Sequence, residues 1–545
     1  MRYFCCLLIF SIQFSYAQKL KKADKAVLAN LQAHVAYLAD DKLEGRRAGT
    51  NGEKLAYEYI SSEFAKAGLL PKGSNNSYLQ EFEINEGKMV APSSHLIINE
   101  NDLKIDKDYF PLSFSANKSA EATTGLALQE SGSPWFYDIK ELLEQNKNNP
   151  HYDLKKAIKT KAAAAAKMGA TAYIIYNTSK INDEIKFDGK EKVEAAVIPV
   201  LYVSQLVKAK YLNDETATLD IKLKVQIEDK KRYGHNVIGY IDNNAANTII
   251  IGAHYDHLGY GEDNNALYTG TDKVVFNGAD DNASGTAALI EAGKLLKASK
   301  FKNNNYLLIA FSGEELGLFG SKYFTEHPTI ELSKVNYMIN MDMVGRLSDS
   351  SHKLTVGGYG TSPAWGEAIN TKDKNLSIKV DSSGVGPSDH TSFYRKDIPV
   401  LFFFTGLHSD YHKPSDDASS VNYIGQLQVL KYIYGVVEAV NKKGKIAFTK
   451  TKEKIIGSSA SFKVTLGIMP DYAFNGSGVR VDGVSDGKIA QKAGIKTGDV
   501  LTQLGNYNFT DLQTYMEALG KFNKGDSTKV KLKRGKEEMS FDIVF

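Results

Sequence analysis

Cysteine is nearly absent from this sequence of 545 residues: it has two, Cys5 and Cys6, both inside its first apolar stretch. If that stretch is removed from the mature protein, neither a disulfide framework nor a thiolate nucleophile is available. Neither cysteine follows the small-residue pattern of a lipid-modified one, which argues against a lipid anchor. Long apolar runs are lacking too. The run at residues 4–14 is too short to span a bilayer and no later one is longer, so no transmembrane anchor is expected. A dominant charge sign is the third absence. Lys and Arg number 67 against 64 Asp and Glu, a formal charge of +3. No compact basic block with interleaved aromatics appears, so no nucleic-acid partner is expected.

What is present begins with Met1-Arg2-Tyr3, the apolar run, and Ser15-Tyr16-Ala17 before Gln18. A basic start, a hydrophobic stretch and small residues two apart form the layout of a cleavable export signal over residues 1–17. The protein is expected in the periplasm or outside the cell. Without disulfides, it must rely there on core burial and bound metal.

The chain is too long for one ordinary core and divides by pattern. Residues 25–69 carry helical spacing, with Leu28, Leu31, Val35 and Leu38 three and four apart, interrupted by the turn-like Leu43-Glu44-Gly45-Arg46-Arg47-Ala48-Gly49. From about residue 88 short alternating strands take over. Within them an Ala-rich helix, 155–168, stops at Gly169 and feeds a strand, 171–176, and 195–200 reads as another buried strand. Residues 96–234 are expected to form a smaller domain. Beyond Asn236, apolar strands at 248–253, 305–311, 335–341 and 399–403 and an amphipathic helix at 284–298 predict an α/β fold. Its sheet should be covered by helices on both faces. Residues 441–461 read as a linker, and 462–545 as a small final unit with a helix at 512–519.

The chemistry-bearing residues follow the strands of the α/β region. Gly252-Ala253-His254-Tyr255-Asp256, Ser312-Gly313-Glu314-Glu315 and Asn340-Met341-Asp342 each put a metal-type ligand at the carboxyl end of an apolar strand, where open α/β sheets build their sites. Gly278-Ala279-Asp280-Asp281-Asn282-Ala283-Ser284-Gly285 is an acidic turn opening a helix, and Asp410-Tyr411-His412 lies further on. Imidazole and carboxylate donors suit hydrolytic zinc. Taken singly, His254 reads as a packed histidine, Asp281 as a helix cap and Asp342 as a turn residue. Together, three carboxylates on or after apolar strands make a costly structure without a cation. Two zinc ions about 3.5–4 Å apart share a water and need a bridging carboxylate. The pair Glu314-Glu315 suits one ligand beside one proton acceptor.

On these motifs the chain resembles the M28 family of zinc peptidases, over residues 25–95 and 235–440. The intervening 96–234 resembles a protease-associated (PA) domain and 462–545 a PDZ domain. The resemblance implies a zinc-exopeptidase α/β fold, a mixed β-sheet flanked by helices, with a β-rich PA insertion and a C-terminal PDZ domain. It implies two zinc ions per chain: His254 and Asp342 on one, Glu315 and His412 on the other, and Asp281 bridging, with a cis peptide between Asp281 and Asn282. Glu314 resembles the general base, and Asp256 the acid that orients His254. Ser388, Asp389 and His390 are expected beside the substrate. The implied activity is aminopeptidase hydrolysis of short peptides, with the 96–234 insertion restricting large substrates. A carboxypeptidase or dipeptidase of the same superfamily, glutaminyl cyclisation with one zinc, and a non-catalytic PA/PDZ scaffold are the alternatives. In the last unit, Leu466-Gly467-Ile468-Met469 resembles the loop that receives a peptide or protein carboxyl terminus.

Overall fold

The computed structural model describes residues 21–149, 152–189, 191, 193–214, 216–263, 265–268, 270–451, 464–470, 476–484, 487–510 and 512–545. The signal read at 1–17, with Cys5 and Cys6, lies outside the described residues. Contacts divide the chain into a unit formed by residues 1–82 and 233–545 and a second unit, Glu83–Arg232.

The first unit is organised by a nine-stranded mixed sheet in the order Leu70–Pro71, Ile227–Ile241, Asn305–Phe311, Thr248–His254, Val335–Met341, Val400–Phe404, Lys353–Gly357, Ser377–Val380, with Leu79–Val90 paired to Ile227–Ile241. Its middle four strands are mutually parallel, His254 standing opposite Phe311 and Gly252 opposite Asn340. Parallel strands bring their carboxyl ends to one edge, and that edge receives residues 254–257, 312–315 and 342.

Thr248–His254, Asn305–Phe311 and Val335–Met341 are buried at every position because both faces are covered. Ile249, Ile251, Leu308 and Ile339 enter one core, shared with Leu31 and Val35 of the Lys22–Leu38 helix, Ile60 of Asn51–Lys66, Leu289 of Gly285–Ala298 and Ile433 of Tyr423–Val440. Ile250, Leu307, Ile309 and Met338 enter the other, with Phe324 and Phe393 of the helices Phe319–Glu326 and His390–Tyr394. The two-residue alternation of strand side chains makes that division. The turn expected at 43–49 falls in a 3-10 segment, Asp41–Arg46, where Asp40 accepts from the Lys42 amide.

The second unit holds two four-stranded sheets. One runs Asn101–Asp102, His95–Ile98, Thr218–Lys224, Ser119–Gly125; the other runs Tyr109–Pro111, Val200–Val203, Ala172–Tyr176, Pro134–Asp138. Its Ala-rich helix, Leu154–Lys167, is capped by the Asp153 carboxylate, which accepts from the Lys156 amide. The strand expected at 195–200 instead spans Val200–Val203, and Val197 is 61% exposed. Pro199 has no N–H to give a ladder, so pairing starts one residue later, with Val200 opposite Tyr173. The unit also begins at Glu83 rather than 96.

Residues 442–451, expected as part of a linker, form neither helix nor strand but lie on the large unit, with Ile446 buried, the Thr451 amide and hydroxyl donating to the Tyr394 hydroxyl, and that hydroxyl donating to the Thr451 carbonyl. The last strands and helices, from Ile468–Pro470 to Glu537–Val544, enclose a separate core around Leu466, Val481, Leu501 and Val530. Ile339 is fully buried in a middle strand. Ile339→Ala should cost about 2–5 kcal/mol by cavity formation, measured as a lowered thermal unfolding midpoint with an unchanged far-UV spectrum.

Candidate metal centre

His254 ends its strand with Nε2 3.3 Å from Asp342 Oδ1 and 3.4 Å from Asp281 Oδ1. The other Asp281 oxygen, Oδ2, lies 3.2 Å from His412 Nε2, which is also 3.2 Å from Glu315 Oε2. The two oxygens of Asp281 therefore face two different histidines. His254, Asp281 and Asp342 form one group whose ligand atoms lie within 4.8 Å of one another, and His257, Asp281 and Glu315 form a second. Imidazoles and carboxylates converging in this way fit a divalent cation.

The Asp281 turn is held from both ends. The Asp416 carboxylate accepts from the backbone amides of Asp280 and Asp281. Asn282 donates to the Met341 carbonyl and accepts from the amides of Gly285 and Met343, tying the turn to the strand end that carries Asp342. Gly278 enters the turn at φ +54, where a β-carbon would come within 2.5 Å of the His257 ring. The Asp281–Asn282 peptide is cis.

The sequence resemblance makes Asp256 the acid that orients His254. Its carboxylate lies 3.6 Å from His254 Nδ1, whose nearer partner is the Asp256 carbonyl at 3.2 Å. The carboxylate accepts from the backbone amides of Glu314 and Glu315, at 3.2 and 3.4 Å, so it holds the acidic pair as well as facing the imidazole. His412 is oriented by the Asn265 carbonyl, 2.8 Å from its Nδ1. Arg47 pairs with Asp263 two residues earlier on the same loop.

Of the substrate-side candidates, Ser388 accepts from the Asn340 side chain at 2.8 Å. Asp389 is buried with neither oxygen hydrogen-bonded among the described residues. His390 stacks on Phe402 with ring centroids 4.5 Å apart. In the last unit Leu466 is buried, and Gly467, at φ +77, donates its amide to the Thr465 hydroxyl.

Charge explains the state of each group. Burial raises Glu314 well above the carboxylate range, with Asp342, Asp389 and Glu315 adding to it against the pull of His254. Burial also carries Asp389 up to about 7. Burial works the same way on Asp281 and Glu315, but the histidines around them outweigh it and hold both low. Burial opposes a proton on His254 and His412, yet the facing carboxylates lift both well above the ordinary imidazole range. Burial takes His390 down to about 3.

Three contributors were not named as site residues from the sequence. His257 is part of the His254-Tyr255-Asp256-His257 run and places Nδ1 2.8 Å from Glu315 Oε1. Asp416 lies four residues after His412 and accepts from the Asp280 and Asp281 amides. Arg46, from the expected turn, is fully buried and donates to the backbone carbonyls of Leu38, Tyr255, Asn277 and Gly278. Burial lowers it to about 10, against the stabilising charges of Asp256 and Asp281. Each sits within or beside a motif already singled out. Asn265 has no such signal, since only the loop's path brings its carbonyl to His412.

The model of Peptidase family M28 matches residues 236–436, and that of the PDZ domain matches 446–544. The chain is 26% identical over 449 residues to Aminopeptidase YwaD of Bacillus subtilis, covering 76% of this chain and 85% of that protein. It is 30% identical over 165 residues to leupeptin-inactivating enzyme 1 of Streptomyces exfoliatus, covering 29% of this chain and 36% of that one. A solved zinc aminopeptidase from Bacillus subtilis aligns at 22% identity and a TM-score of 0.42, over 77% of this chain and 98% of its own.

The raised imidazoles carry a consequence for metal uptake. The facing carboxylates favour the protonated form of His254 and His412 in the metal-free protein, and a nitrogen that binds a metal must give its proton up. Titrating metal-free protein with a divalent ion should release roughly one to two protons, read from calorimetry in buffers of different ionisation enthalpy. An enthalpy independent of buffer would contradict the charge assignment.

Proposed function

We propose that this chain, which carries a peptidase family M28 domain over residues 236–436 and a PDZ domain over 446–544, is an exported two-zinc aminopeptidase acting on short peptides. The observation that carries this reading is the division of Asp281, one oxygen toward His254 and Asp342, the other toward His412 and Glu315. In this reading His254 and Asp342 hold one ion, Glu315 and His412 the other, and Asp281 bridges them. The name of the Bacillus subtilis relative, an aminopeptidase aligned over most of both chains, supports the choice of the amino terminus.

When bound, the two zinc ions supply Lewis acidity, polarising the scissile carbonyl and lowering the pKa of the attacking water. The chain's own residues do the rest. Glu314 takes a proton from the water and returns it to the departing amine. A carboxyl raised by burial and by neighbouring acids is suited to both steps near neutral pH. Asp256 fixes Glu314 and Glu315 through their backbone amides, so base and ligand keep their separate directions. Asp389, an acid without a hydrogen-bond partner among the described residues, belongs beside the substrate with Ser388. His390, packed on Phe402, contributes shape rather than proton transfer.

The Glu83–Arg232 unit is read as the non-catalytic PA domain, its two sheets and the Leu154–Lys167 helix supporting that assignment. No helix among the described residues is long and apolar enough to cross a membrane. Export rests on the signal read at residues 1–17.

Glu314→Gln tests the chemistry. It should keep two zinc ions per chain by metal analysis while kcat falls about 10²–10⁴-fold, because only proton transfer is lost. Near-normal turnover would remove Glu314 as the base, and wild-type protein saturating at one ion would remove the two-zinc reading.

The PDZ domain is read as taking carboxyl-terminal peptide ends at Leu466-Gly467-Ile468-Met469, where the strand Ile468–Pro470 pairs with Val479–Val484 on one side. Full-length Glu314→Gln protein titrated with amino-acetylated peptides should bind apolar free-acid ends and lose affinity when those ends are amidated. Equal binding of both sets would sink carboxylate capture.

A further inference from the structure

The ligand set leaves His257 unused, although its side chain is fully enclosed beside the ligands. Its Nδ1 lies 2.8 Å from Glu315 Oε1 and 3.9 Å from Asp281 Oδ2. At this distance the carboxylate oxygen accepts and Nδ1 donates. Nε2 is buried with no hydrogen-bond partner among the described residues. The ring has little room to turn. It meets the His412 ring edge-on at 5.7 Å, and the missing side chain of Gly278 leaves the gap that it fills. On the backbone, the His257 amide donates to the Arg46 carbonyl.

Glu315 therefore has two differently occupied oxygens. Oε1 receives His257 Nδ1, and Oε2 lies 3.2 Å from His412 Nε2. We propose that His257 is a positioning residue for the second metal ion: its N–H engages Glu315 Oε1 and leaves Oε2 as the single oxygen offered beside His412 and Asp281. This inference rests on the two-zinc reading above. A carboxylate with one oxygen held by an N–H is fixed in rotation about its last bond and presents one lone-pair direction to a cation, and partners of this kind typically alter metal affinity by about 10–100-fold. In this inference His257 acts through Glu315 rather than as a ligand, its Nδ1 being engaged with Oε1.

His257→Leu and His257→Asn separate this role from packing and from direct ligation. The Asn amide offers an N–H near the place of Nδ1–H, whereas Leu fills the volume with no donor. Competition against a chromophoric chelator gives the affinity of each zinc ion, metal analysis gives stoichiometry, and thermal unfolding checks that each variant is folded. His257→Leu should bind its first zinc as wild type does and its second about 10–100-fold more weakly, with His257→Asn recovering most of the loss. Wild-type affinity for both ions in folded His257→Leu overturns the proposal. A loss in His257→Asn as large as in His257→Leu overturns it too, since that marks the imidazole as a ligand. Wild-type protein saturating at one zinc ion instead overturns the two-zinc reading and this inference with it.

Discussion

Asp281 keeps its negative charge out of water because His254 and His412 approach it from two sides. The rest of this sheet edge follows from the cost of that arrangement. Asp256 and Asp389 are buried close by, and Glu314, Glu315 and Asp342 retain only partial access to solvent. Acids gathered this way repel one another, and each must be offset by an imidazole, a backbone amide or a cation. His254, His257 and His412 supply imidazoles, the amides of Glu314 and Glu315 quiet Asp256, and the amides of Asp280 and Asp281 quiet Asp416. Arg46 adds a fixed positive charge whose donors all go to backbone carbonyls, so it bonds to none of the acids. The net excess of acid fits divalent metal.

Parallel pairing makes this concentration possible. The strands Thr248–His254, Asn305–Phe311 and Val335–Met341 end at one edge, and residues far apart in the chain arrive together without long excursions. The remaining acids and histidines come from loops, which need bracing of a different kind. Asp416 and Asn282 hold the Asp281 turn, and the Asn265 carbonyl sets the His412 ring. The sheet and the braced loops divide the work: strands fix the separation of these side chains, and hydrogen bonds fix their directions.

Function on this scaffold follows from unequal environments of chemically similar groups. Glu314 and Glu315 are adjacent, yet burial and neighbouring acids raise the first while the histidines hold the second low. One is thereby suited to carry a proton and the other to remain a charged ligand. The same contrast separates His390, enclosed beside Phe402 and lowered by burial, from His412, which the surrounding acids lift well above the ordinary imidazole range.

By itself the sequence determined the elements and their order. Continuous apolar runs marked the middle strands, because a strand covered on both faces has no polar side to show, and the acids and histidines stood out by following those runs. It also carried the motifs by which the peptidase and PDZ domains are matched. Where a local rule competed with pattern the boundary moved, as at 195–200, where Pro199 delayed strand pairing to Val200. Only the tertiary structure decided which oxygen of Asp281 meets which histidine, that Arg46 is buried among carbonyls, and that His257 rather than solvent meets Glu315. Sequence spacing governs local periodicity, whereas these contacts join side chains separated by tens to hundreds of residues, and their directions depend on how turns and loops close in space.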